Sequence, residues 1–228
     1  MAKNKKTRKQ LLKEPDKFMT LSSRLIEEVK NHKVQAAWTL GIFIIVLIVI
    51  SGFFYRSNRA EYNSFIMLEQ CMAKYRMAVK TDGPVYAYHN VKDDFQKIID
   101  KYPKKTGGKL TQIVFANICY NAADFDNAIE IYNKALGSFG DKPSLRNLIL
   151  SSLGYSYEGK KDYKKAVANF EMIVSESGLI MKDEAYFNLG RLYAEMGDKT
   201  KSIEAFTKII SDYPGSMYID LVKERIAA

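Results

Sequence analysis

Two histidines, His32 and His89, and two cysteines, Cys71 and Cys119, are the whole stock of imidazole and thiol metal ligands in this chain of 228 residues. A structural zinc site draws on four such groups at close spacing and a catalytic one on three, so no metal site is expected. The cysteines show no Cys-x-x-Cys spacing and lie in helical, apolar contexts, where a thiol behaves as a small hydrophobe. A single disulfide between them stays open if the domain faces an oxidising compartment. Asp93, Asp94, Glu130, Glu158, Glu171 and Glu204 fall on helix surfaces, where solvated faces and intrahelical pairs account for them. No Gly-x-Ser-x-Gly elbow and no zinc-protease helix is present, and Thr106–Leu110, TGGKL, lacks both the upstream glycine and the hydroxyl residue of a phosphate loop. The chain therefore reads as non-enzymatic, with no catalytic residue, metal or cofactor.

The elements that would carry any other function begin with the charge. The net charge is +9, but residues 1–34 hold ten Lys/Arg against four acids, leaving only +3 for the other 194 residues. The folded part is thus nearly balanced, and it has no basic helix or aromatic platform for nucleic acid. Val34 to Tyr55 contains no charged residue. A helix of that length spans about 33 Å, which matches a bilayer core of about 30 Å. The leading region is too long, and the apolar run too long, for a cleaved signal, so the span 34–55 is expected to be retained. Trp38 at one end and Phe53, Phe54 and Tyr55 at the other suit the interfacial belts.

The basic tail 1–33 should stay in the cytoplasm, which sends the remainder across the membrane, in a bacterium to the periplasm. Within the tail, Leu21, Leu25 and Val29 recur at helical spacing, flanked by Phe18 and Ile26. This is either a short amphipathic helix on the cytoplasmic surface or a solvated basic flank that only sets topology.

Beyond the span, FQKIIDKYP at Phe95–Pro103 returns as FTKIISDYP at Phe206–Pro214. Aligned on a period near 34, further copies appear: Phe115, Ala116, Cys119, Phe125, Ala128 and Tyr132; Leu153, Gly154, Tyr157, Tyr163, Ala166 and Phe170; Leu189, Gly190, Tyr193, Lys199, Ser202 and Phe206. These residues resemble the tetratricopeptide repeat, a pair of antiparallel helices that buries its apolar side only by stacking on its neighbours. The expected chain is all-α: a degenerate first unit at 56–108, broken near Gly83 and Pro84, repeats at 109–142, 147–180 and 183–216, and a capping helix at 217–228. Phe170, Tyr132 and Phe206 are expected to fill the gaps between units. Tyr218, Leu221, Val222 and Ile226 should face inward from the cap.

The resemblance implies that the first helix of each unit lines a protein-binding groove. Its positions here are Asn117, Tyr120, Asn121, Ser151, Tyr155, Glu158, Phe187, Arg191 and Glu195. The clamp for acidic chaperone tails is not matched beyond Asn117, since Ile113 and Ser152 replace its Lys and second Asn. Basic tail, single span and repeat stack together resemble the ancillary SecYEG translocon subunit family of bacterial inner membranes. That likeness implies a single-pass scaffold with protein partners in the periplasm, such as translocon subunits or chaperones. Two other settings remain open: a component of an envelope assembly for outer-membrane biogenesis, division or pili, and a membrane-anchored receptor with cytosolic repeats. Oligomeric state is left open.

Overall fold

The computed structural model describes residues 17–227, and within them every regular element is an α-helix. The expected basic tail up to residue 16, and Ala228 at the end of the expected cap, lie outside the described residues. The chain divides after Asn58 into two units.

The first unit holds α1, Lys17–Asn31, and the opening of α2, Lys33–Lys101. From Val34 to Tyr55 this helix buries no residue; Leu40, Ile48 and Phe53 are 59%, 65% and 70% exposed. A helix that serves a soluble core hides one apolar stripe and shows a polar one. This one is apolar all round, and it is long and apolar enough to cross a membrane.

In the second unit α2 breaks at Gly83, whose φ of 81° and ψ of 172° suit only glycine. Pro84 follows the break, where its missing N–H costs no helical hydrogen bond. The two arms face each other: Lys74 Nζ donates to the Asn90 carbonyl at 2.9 Å and to Asp94 Oδ2 at 2.8 Å. Three more pairs follow, α3 (Thr106–Asn121) with α4 (Phe125–Phe139), α5 (Pro143–Gly159) with α6 (Tyr163–Ser175), and α7 (Lys182–Glu195) with α8 (Lys199–Asp212). The helix α9, Ile219–Ala227, packs on α8. α3 and α5 start before residues 109 and 147 because the repeat motif is counted from its packing residues, whereas the helices gain an extra turn, opened in α5 by Pro143.

One turn is built three times. Ala123, Lys161 and Gly197 take φ of 61°, 62° and 80°, ending the first helix of each pair in a left-handed residue. The next residue is Asp124, Asp162 or Asp198. Its N–H donates back to Cys119, Tyr157 or Tyr193 at 2.9, 2.9 and 2.8 Å, which closes that helix. Its carboxylate then accepts from the N–H of Asn127, Lys165 or Lys201, which opens the second.

Packing inside the last two pairs rests on a ring against a glycine. Phe170 and Phe206 are buried against Gly154 and Gly190, and a Cβ on Gly154 would come within 2.5 Å of the Phe170 ring. These rings therefore close the gap within a pair, where glycine permits the backbones of its two helices to approach. Phe95 does bridge units, stacking on Phe115 with centroids 5.4 Å apart. Tyr88 OH donates to Asp124 Oδ2 at 2.7 Å, tying the first pair to the turn of the second. At the cap, Tyr218 stacks on Phe187 at 4.5 Å and Val222 is fully buried, with Ile226 beside that cluster. Leu221, expected inward, is 41% exposed. The inward stripe runs through 218, 222 and 226, and residue 221 is turned about 100° away from it.

Cys71 and Cys119 are free and buried, and burial above all pushes the Cys119 thiol up to about 12. Its reactive thiolate is accordingly scarce at neutral pH.

Gly190→Val forces a branched side chain into the Phe206 ring and is expected to cost about 2–3 kcal/mol, read as a lower urea midpoint. Gly137→Ala, in α4 where nothing lies within 4 Å of the added carbon, should instead raise the midpoint by roughly 0.5–1 kcal/mol.

Candidate functional site

The wall expected to bind partners is made by α3, α5 and α7, the first helices of successive pairs. α5 and α7 are cross-linked one repeat apart by side chains. On α7, Glu184, Asn188 and Arg191 recur at spacings of four and three, which puts them on one face. Glu184 Oε1 accepts from Ser151 Oγ at 3.2 Å and from Tyr155 OH at 3.0 Å. Asn188 Nδ2 donates to the Tyr155 oxygen at 2.9 Å, while Asn188 Oδ1 accepts from Arg191 at 3.0 Å. Arg191 also grips both carboxylate oxygens of Glu158, one of them at 2.7 Å.

This ladder changes the meaning of the sequence-expected residues. Ser151, Tyr155, Glu158 and Arg191 spend their polar atoms on each other and on Glu184 and Asn188, so they set the spacing of two repeats. Ser151 is buried, and Phe187 is half-buried between Phe206 and Tyr218. Asn117 is exposed and accepts from Tyr132 OH; Tyr120 meets Phe125 edge-on at 5.6 Å. Asn121 and Glu195 are exposed. The nine candidates thus separate into a structural ladder, one ring under the cap and a set at the surface on α3 and α7. Sequence reasoning missed Glu184 and Asn188; the signal was available, since both stand on the face of Arg191.

The electrostatics follow the burial. The Glu158 carboxylate holds the Arg191 guanidinium above its ordinary value, against the burial that would lower it. Burial first, then the negative Glu184, pushes the Tyr155 phenol up to about 12, and burial does the same for Tyr132. Tyr155 therefore remains a proton donor to Glu184 through the physiological range.

The opposite face of α7 carries a concavity. A cavity of about 720 Å³ lies among α6, α7 and α8, with Val174, Tyr186, Leu189, Tyr193 and Ile203 in its lining. Tyr193 OH donates to Glu171 at 2.7 Å, and Lys201 lies 5.3 Å from the centre of the Tyr193 ring. Among the described residues no three His, Cys, Asp or Glu side chains gather as a metal ion would need.

Residues 184–216 match the tetratricopeptide repeat family. A tetratricopeptide repeat protein of known structure from Parabacteroides merdae superposes with a TM-score of 0.53 at 18% identity. The superposition covers 69% of this chain and 57% of that protein, so it spans little more than half of the relative's length. BtubC from P. vanneervenii aligns over 70% of this chain and 74% of its own at 12% identity, with a TM-score of 0.43. No curated protein matches the sequence. The fold of the second unit is a solenoid of tetratricopeptide type, with the family's own repeat at its C-terminal pair.

Arg191→Ala strips Glu158 of its partner in a half-buried setting and is expected to cost about 2 kcal/mol in urea denaturation; Glu158→Gln with Arg191→Met should recover part of that loss. Folded Tyr155 and Tyr132 keep their protons up to about 12, whereas an unfolded tyrosine loses its own near 10. Stability should hold below about pH 10 and fall as pH climbs from about 10 through about 12, visible as thermal unfolding coupled to tyrosinate absorbance.

Proposed function

We propose that this protein is a non-enzymatic, single-pass membrane scaffold. Residues 34–55 anchor it in a bacterial inner membrane, the N-terminal tail lies in the cytoplasm, and the repeat stack works in the periplasm. It presents its first-helix wall to protein partners during protein translocation or envelope protein folding, near the Sec translocon.

The observation that carries this reading is the pairing of two units in one chain. One is a helix whose run of uncharged residues is exposed on every side, a surface that lipid covers and water does not. The other is a repeat stack, an architecture whose extended faces recognise other chains. Polar chemistry on the wall supports binding over catalysis. The ladder residues are mutually satisfied, and Asn117, Tyr120, Asn121 and Glu195 offer the adaptable amide, phenol and carboxylate groups that peptide-binding surfaces use. The charge bias of the first 34 residues supports the orientation.

Protease added to intact spheroplasts should digest the repeat stack and spare the N-terminal tail; a stack cut only after the inner membrane is opened would reverse the topology. Photo-crosslinkers at positions 121 and 195 should trap translocon or chaperone partners in living cells. Adducts from position 203 in the opposite cavity, with none from 121 or 195, would move recognition to that face.

A further inference from the structure

The helix α1 has an apolar side that nothing among the described residues covers. It is the most sharply amphipathic of the nine described helices. Leu25 and Val29 stand one turn apart with Ile26 beside them, and they are 64%, 52% and 57% exposed. Glu27 lies on the far side, and Lys30 stands one turn beyond Ile26 at the border of the apolar side.

The position of α1 in the chain narrows what can cover that side. α1 ends at Asn31, α2 begins at Lys33, and only the turn at His32 separates them. His32 N–H donates to the Glu28 carbonyl at 3.0 Å and Ala36 N–H to the His32 carbonyl at 2.9 Å, so the backbone passes from one helix to the next within a turn. The uncharged run starts at Val34, immediately after. A helix tethered so close to a span either stands out into water with three large apolar side chains bare, or lies along the interface with them covered. Charge favours the second arrangement, because Lys30 and Lys33 flank the junction and the first 34 residues carry a net +6.

We propose that α1 is a membrane-surface helix. Leu25, Ile26 and Val29 seat at the boundary of headgroups and acyl chains, and Lys30 and Lys33 meet anionic headgroups. This rests on the reading of 34–55 as a membrane span.

The test uses the full chain with Cys71→Ala and Cys119→Ala, reconstituted in vesicles of phosphatidylcholine or of phosphatidylcholine mixed with phosphatidylglycerol. Single fluorescent labels are placed at positions 27, 29 and 45. In the mixed vesicles, lipid-borne quenchers should reach 45 deeply and 29 near the surface, while 27 stays open to acrylamide. In pure phosphatidylcholine, position 29 should become water-accessible, and Lys30→Glu with Lys33→Glu should abolish the difference between the vesicles. A label at 45 that is quenched by lipid while 29 stays open to acrylamide in both vesicles overturns the surface helix and leaves the span reading intact. A label at 45 open to acrylamide overturns the span reading and the surface helix with it. Protection of 29 that requires added protein overturns the lipid assignment. The unsubstituted chain gives an independent readout: amide exchange over residues 25–31 should slow about tenfold in the mixed vesicles, and equal exchange in both vesicles overturns the proposal.

Discussion

Each helix pair in the second unit leaves an apolar side that only the next pair can cover, and that requirement shapes the remainder of the molecule. Within a pair the two backbones approach closely where Gly154 and Gly190 leave room for the Phe170 and Phe206 rings. The approach fixes the pair as a rigid unit, and stacking then has to bury its outer surface. Three similar turns, each with a left-handed residue followed by a capping aspartate, set the angle at which the last three pairs reverse. The short α9 closes the series by laying Tyr218 and Val222 on the last pair.

The same constraint explains why the polar groups on the wall are so occupied. Once α5 and α7 lie side by side, carboxylates such as Glu158 and Glu184 are half-buried and cannot rely on water alone. Arg191, Tyr155, Asn188 and Ser151 supply the donors they need. Four of the nine residues that read as a ligand surface in one dimension, Ser151, Tyr155, Glu158 and Arg191, are in three dimensions part of the adhesive between repeats. The side chains outside that ladder, and the apolar cavity on the opposite face of α7, are the surfaces that the proposed recognition would use.

The first unit follows a different pattern of burial. A helix with exposed isoleucines and phenylalanines around its whole circumference has no use for a stack, and α1 beside it shows a one-sided version of the same problem. In the proposed setting a bilayer covers both, one through its core and the other along its surface.

The sequence by itself determined the architecture, because periodicity is local information. The recurring glycine, alanine and aromatic positions near Tyr132, Phe170 and Phe206 marked helix pairs, the charge-free run 34–55 marked a helix suited to lipid, and Gly83 with Pro84 marked a break. It did not determine which side chains would meet. Phe170 closing on its own Gly154, Leu221 turning outward, and Ser151 and Arg191 joining Glu184 and Glu158 across a repeat all depend on contacts between residues far apart in the chain. Only the tertiary structure decided those, because a groove position is defined by helix rotation against its neighbour. Spacing along one helix fixes which residues share a face, but not what that face touches.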